Sequence, residues 1–151
     1  MDISRELMER LFPKLGVSQY RITSQASKDY NCIAWAAGDD SRWWEPDPWN
    51  LYYWPPSAPR TWTLDALVQA YGTLGFKLCF DGGLEQGLEK VAIYAKGQVG
   101  NEVPTHAALQ LRDGTWTSKL GNCEDINHHT SGDVNGPEYG QVFCFLVRLR
   151  V

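Results

Sequence analysis

The segment Asn31-Cys32-Ile33-Ala34-Trp35-Ala36-Ala37-Gly38 predicts a short buried helix that begins beside a cysteine. Asn31 or Asp29 can cap the first turn with its side chain, and Gly38 suits the left-handed residue that follows a helix. A helix N-terminus is one of the settings that lower the pKa of a thiol. Cys32 is therefore the candidate nucleophile of the chain.

Outward from this segment, helices are predicted before the strands. Residues 3–12 predict an amphipathic helix ended by Pro13, and Thr63 predicts the N-cap of a helix that ends at Gly75. Strands are predicted over residues 76–80, 91–95, 106–111, 115–119 and 142–151, with a hairpin turn at Arg112-Asp113-Gly114. This order predicts an α+β fold, with N-terminal helices packed on an antiparallel sheet, in a single domain over residues 1–151.

Residues 39–62 interleave aromatic rings with prolines and contain five of the seven tryptophans of the chain. Such proline density forbids a regular helix or central strand, so a long ordered loop is predicted, and loops of this kind tend to be functional. Trp43, Trp44 and Trp49 are candidates for lining a substrate groove, or for forming a platform that binds a sugar or peptide. The same rings can also fill the core, and we expect mixed use.

Composition bears on the class of partner. The net charge is −4 and no Lys/Arg cluster is present, which argues against nucleic acid as the principal partner. The first residues are charged and no apolar run is long enough to span a bilayer, so neither an export signal nor a membrane partner is expected. A peptide or protein is the expected substrate or partner. In the cytoplasm, the expected location, the four cysteines would remain thiols.

A cysteine nucleophile needs a base, and His106 is the best-placed histidine. It opens a predicted strand, whereas His128 and His129 lie in a polar stretch. A hairpin can present a residue at the start of a strand to the end of a helix. Cys32 and His106 are therefore predicted to form a catalytic pair, in which the imidazole takes the proton of the thiol.

The segments around this pair resemble the papain-like superfamily in its broad sense, including bacterial NlpC/P60 and CHAP-type amidases and peptidases. Residues 31–36 are similar to the helix that follows the catalytic cysteine of that superfamily. Residues 105–114 are similar to the strand of its catalytic histidine and the Asp-Gly turn that follows. The resemblance implies a papain-like (NlpC/P60-type) α+β fold and hydrolysis of an amide, isopeptide or peptide bond through a thioacyl-enzyme, with no metal or organic cofactor.

The resemblance also implies a polar residue on the next strand that orients the histidine. That strand contains Ser118 where a stronger acceptor is expected, so Asn122, Glu124 and Asp125 are the candidates for this role. For the oxyanion, the resemblance implies the backbone N–H of Cys32, and Gln25 lies at a suitable distance upstream to be a second donor. Lys119 is predicted to be exposed.

Alternative functions remain open at this stage. The protein can be a non-catalytic interaction module, such as an inhibitor, immunity or accessory protein on a degenerate hydrolase fold. Cys123, His128 and His129 can be viewed as a metal motif, but zinc needs about four closely spaced ligands, so a structural loop is predicted there. Cys79 and Cys144 lie in apolar strands and are predicted to belong to the core.

Overall fold

The computed structural model describes residues 3–121 and 123–150. Three short α-helices are present in this part of the chain: α1 (Ile3–Leu11), α2 (Cys32–Ala36) and α3 (Leu64–Gly72). Seven strands accompany them: β1 (Tyr20–Ile22), β2 (Lys77–Cys79), β3 (Leu88–Lys96), β4 (Val103–Gln110), β5 (Trp116–Lys119), β6 (Asp125–His128) and β7 (Gln141–Leu149). Two 3₁₀ turns, Pro13–Val17 and Ser131–Val134, complete the regular structure.

All seven strands form one antiparallel sheet in the order β1-β6-β5-β4-β3-β7-β2. The predicted papain-like α+β fold is therefore wrong, because the domain is dominated by this sheet and its helices have only nine, five and nine residues. The short helices cover the two faces of the sheet. The chain is a small β-rich domain.

The sequence patterns predicted five of the strands and missed β1 and β6. β6 reads as polar, Asp125-Ile126-Asn127-His128, yet all four residues are buried. β5 pairs with it on one side and β1 on the other. Its polar side chains find hydrogen-bond partners inside the protein, which is what permits a polar segment to be a central strand.

Each face of the sheet carries a hydrophobic cluster, because side chains alternate along a strand. In β3, Val91 and Ile93 pack on the side of α2 and α3, while Ala92 and Tyr94 pack on the side of α1. The α2 side contains Ile33, Ala34, Leu67 and Tyr71, and the α1 side contains Met8, Phe12, Trp116 and Ile126. Two short helical layers thus cover the central strands, as a sheet buried on both faces requires.

Asn31 fixes the start of α2. Its side-chain oxygen accepts hydrogen bonds from the backbone N–H groups of Ala34 and Trp44, both at 3.1 Å, and its amide donates to the carbonyl of Trp44 at 2.8 Å. The predicted N-cap is confirmed, and Gly38 follows the helix with a φ of 84°. One side chain therefore both caps α2 and fastens residues 39–62 to it.

Within residues 39–62 the chain forms no helix or strand of its own, as predicted, apart from an isolated bridge between Trp44 and Tyr53. Asp47 organises the loop: its carboxylate accepts from the N–H groups of Leu51 and Tyr52 and pairs with Arg60 at 2.7 Å. The loop is consequently held by hydrogen bonds as well as by ring packing. In the described part of the chain, no helix has the length and apolarity needed to cross a membrane.

Candidate functional site

Cys32 is the first residue of α2 and lines a surface cavity of about 330 Å³. The walls of this cavity include Trp43, Thr105 and Tyr139. The side chain is half-buried, and all four cysteines of the chain are free. Cys32 therefore forms part of the wall of a concavity that a ligand can enter.

Burial raises the pKa of the Cys32 thiol to about 11. The backbone N–H groups of Ala107 and Ile33 and the charge of Lys119 act in the opposite direction, but burial outweighs them. The backbone N–H groups of Cys32 and Ile33, in the first turn of α2, act to lower the pKa of this thiol as predicted, but the loss of hydration has the larger effect. Cys32 is a neutral thiol at pH 7 and needs a base.

His106 lies in β4 and is completely buried. Its ring stacks on that of Tyr139, with centroids 4.0 Å apart and planes within 4° of parallel. Its Nε2 lies 3.0 Å from Oγ of Ser118, which lies 2.7 Å from Nε2 of His128. Nδ1 of His128 in turn lies 2.8 Å from the carbonyl oxygen of Thr130. A chain of hydrogen bonds thus runs from β4 through β5 to the end of β6.

The last acceptor in this chain of hydrogen bonds, the carbonyl of Thr130, determines which ring nitrogens carry protons. A carbonyl oxygen only accepts, so Nδ1 of His128 carries the proton and its Nε2 is an acceptor. Ser118 must then donate to His128, which leaves its oxygen to accept from Nε2–H of His106. Nδ1 of His106 is therefore unprotonated and carries a free lone pair. It is buried and has no hydrogen-bond partner among the described residues.

Burial holds the pKa of His106 well below 6.5, and neighbouring His128 lowers it further. No hydrogen bond joins Cys32 to His106 in the described part of the chain, but the surroundings of the thiol adjoin this histidine closely. Thr105 and Ala107 are its neighbours in sequence, and Tyr139 is stacked on its ring. The predicted pair is therefore out of hydrogen-bond contact, and its two side chains belong to opposite faces of the sheet. His106 packs on Tyr94 on the α1 side, whereas Cys32 packs on the α2 side.

The residues predicted to orient His106 lie elsewhere. Asp125 is buried and accepts a hydrogen bond of 2.5 Å from the hydroxyl of Tyr30, and Glu124 is half-buried without contacting the histidine. Asn122 lies outside the described residues. Ser118 makes the contact instead, from the strand position that the resemblance singles out. A serine serves here because His128 takes its proton, and that partner became recognisable only once β6 was placed in the sheet.

Lys119 is buried, contrary to the prediction that it is exposed. Its ammonium donates to the carbonyls of Gly121 and Cys123, each at 2.8 Å, and lies 5.6 Å from the centre of the Tyr30 ring. Burial lowers its pKa, and nearby acidic groups including Asp125 act against that effect. The lysine places positive charge near the thiol of Cys32.

The other predicted residues are distributed over several environments. Trp43 lines the cavity of Cys32, whereas Trp44 is buried in the core and donates to Asp39 at 2.9 Å. Trp49 is exposed and lines a neighbouring cavity. Gln25 is exposed and is not part of the cavity wall, so the structure does not bring this proposed oxyanion donor to Cys32.

The possible metal motif is not assembled. Both ring nitrogens of His128 have protein partners, and His129 is exposed. Within residues 3–121 and 123–150, no group of three or more His, Cys, Asp or Glu side chains has the geometry to hold a metal ion. The buried histidine is a member of the hydrogen-bond chain.

Comparison with known proteins yields one match. A family model, described as a domain of unknown function (DUF7689), matches residues 21–147, which include every element from α2 to β6. No curated protein and no solved structure gives a significant match. The site geometry therefore has to support any functional conclusion.

Proposed function

The chain belongs to the family DUF7689, a domain of unknown function, and from its site we propose that it is a cysteine hydrolase acting on an amide, isopeptide or peptide bond. Cys32 is the nucleophile and His106 is the base. The observation that supports this most directly is the hydrogen-bond chain from His106 through Ser118 and His128 to Thr130. It leaves a lone pair on His106 Nδ1, and Tyr139, whose ring stacks on His106, also lines the cavity of Cys32.

In the first step, Nδ1 of His106 takes the thiol proton while Sγ of Cys32 forms a bond to the substrate carbonyl carbon. The imidazolium then gives that proton to the leaving nitrogen, and the carbon–nitrogen bond breaks. Water next attacks the thioester carbonyl, losing a proton to Nδ1. The carbon–sulfur bond breaks as the proton passes to sulfur. The acid product leaves and the neutral thiol and imidazole are restored.

The negative charge that develops on the substrate carbonyl oxygen needs a hydrogen-bond donor, and we propose the backbone N–H of Cys32 for this role. N–H groups of the first turn have no acceptor within their helix. Lys119 adds positive charge near the sulfur, which favours the thiolate once it forms. Both groups assist charge that develops during the reaction, since the resting thiol and imidazole are neutral.

Acylation tests the proposal directly. With p-nitrophenyl acetate the protein should release one equivalent of p-nitrophenolate in a burst and gain the mass of one acetyl group. The adduct should map to Cys32, because this thiol lines a cavity that a ligand can enter and Tyr139 in its wall stacks on the proposed base, His106. Intact-mass spectrometry and peptide mapping make the measurement, with Cys32→Ala as the inactive variant.

Cys79→Ala is the matched control, since Cys79 is also half-buried and also a free thiol. This variant should acylate like the unmodified protein. An adduct spread over several cysteines, or one that survives Cys32→Ala, contradicts the proposal and favours a non-catalytic interaction module. The cytoplasm, where thiols remain reduced, suits such a nucleophile.

Replacing Ser118 by alanine should lower kcat by about 10- to 100-fold with little change in KM, because His106 loses the acceptor that fixes its tautomer. Thr117→Val is the control variant on the same strand. The hydroxyl of Thr117 accepts a hydrogen bond from Trp35 and is not part of the hydrogen-bond chain of His106. The variant should stay within about twofold of the unmodified rate. Steady-state kinetics, with thermal unfolding as a check on folding, distinguish positioning from general destabilisation.

A further inference from the structure

The cavity of Cys32 borders a second cavity of about 260 Å³, and Glu45 and Trp62 line both. Trp43 lies on the Cys32 side of this shared wall, and Trp49 lies on the far side. The two adjoining cavities together extend from Cys32 to Trp49 beside the loop of residues 39–62. We call this the Trp groove.

Glu45 is the uncompensated charge of the Trp groove. It is half-buried, and its carboxylate forms no ion pair or hydrogen bond among the described residues. The other acidic side chain in the wall, Asp47, is neutralised by Arg60 at 2.7 Å. Among the described residues, neither cavity is lined by a lysine or an arginine. The groove therefore presents net negative charge in a partly dehydrated place.

Three indole rings line the same two cavities as Glu45. Trp43 is held in place by a hydrogen bond of 2.6 Å from its Nε1 to the carbonyl of Lys28. Trp62 and Trp49 are 41% and 76% exposed, so their rings are accessible to a ligand. The face of an indole attracts a cation more strongly than that of any other side chain, and dehydration strengthens the attraction.

We propose that the Trp groove binds a cationic side chain, arginine or lysine, of a peptide whose scissile carbonyl lies at Cys32. Glu45 supplies the counter-charge, and Trp43 and Trp62 supply the aromatic walls. Arginine is the better fit, because its planar guanidinium both stacks on indole and pairs with a carboxylate through two hydrogen bonds. The position of the scissile bond rests on the proposed function; binding of the cation does not.

The test measures binding without turnover, in the Cys32→Ala variant. Isothermal titration compares acetyl-Gly-Arg-Gly-amide with the same peptide containing citrulline, which has the shape of arginine without its charge. The arginine peptide should bind about tenfold more tightly, and Glu45→Gln should reduce the preference to within about twofold. Asp40→Asn is the matched control: it removes an equal charge from an exposed position of the same loop and should leave the preference unchanged.

Equal affinity for the two peptides, or a preference that persists in Glu45→Gln, overturns the inference. So does the absence of measurable binding to either peptide. Cleavage by the protein with Cys32 intact is measured separately on the arginine peptide. Selective binding without cleavage refutes the proposed hydrolase and supports the cation site. Cleavage without a preference for charge supports the hydrolase and refutes the cation site.

Discussion

Replacing His106 by asparagine should lower kcat/KM by about 10³-fold or more, the largest loss of activity we expect from any change outside Cys32. Asparagine can still hydrogen-bond to Ser118, so much of the buried chain is kept. It provides no base for the thiol, whose pKa of about 11 leaves it protonated at neutral pH. Hydrolysis of a blocked arginyl amide, followed by fluorescence of the released amine, measures the loss. The variant His129→Asn changes an exposed residue next to His128, outside the hydrogen-bond chain, and should retain full activity.

The pH profile of the unmodified protein tests the same assignment. The pKa of His106 lies well below 6.5, so the base remains free down into acidic solution. The pKa of Cys32 is about 11, so kcat/KM should be level from about pH 6.5 until the thiol begins to ionise. An acid limb above pH 6.5 would mean that an imidazolium–thiolate pair, rather than two neutral groups, is the resting state.

Acid should destabilise the fold steeply. His106 and His128 are both buried, and burial lowers the pKa of each below 6.5. The unfolded chain therefore binds more protons than the folded one, so the stability present above pH 6.5 is lost as the pH falls toward the folded pKa values. Two such groups together lower the free energy of unfolding by up to about 2.7 kcal/mol per pH unit. Urea unfolding between pH 7.5 and pH 4.5 measures the slope.

Single variants measure how much each histidine contributes to the pH dependence of the free energy of unfolding. His128→Gln should reduce it by about half, while His129→Gln should leave it unchanged because His129 is exposed in the folded protein. A slope that is unaffected by His128→Gln would show that His128 binds its proton equally well in both states.

Local signals in the sequence predicted the beginnings of the helices well. Asn31 and Thr63 are N-caps in the structure, each accepting a hydrogen bond from the backbone N–H three residues later. Gly38 and Gly75 follow their helices with positive φ, as a left-handed residue requires. These features depend on a few neighbouring residues, so a linear reading detects them.

Other features depended on distant contacts. β6 is a strand because β1 and β5 pair with it, and no local pattern of alternation marks it. Gly140 is needed because a Cβ there would collide with the carbonyl of Ala95 and approach Cγ of Lys96 at 2.7 Å. That close approach lies next to Tyr139, whose ring stacks on His106. None of these contacts is visible in the order of residues along the chain.

The sequence by itself determined the position of Cys32 at a helix start, the presence of His106 in a strand, and an aromatic loop without regular structure. Those are local consequences of capping, alternation and proline content. The tertiary structure alone decided that the domain is β-rich and that Ser118 and His128 support His106. It also decided that the pKa of Cys32 rises instead of falling. Strand pairing and burial join residues that are far apart in the chain, and both the protonation states and the architecture depend on them.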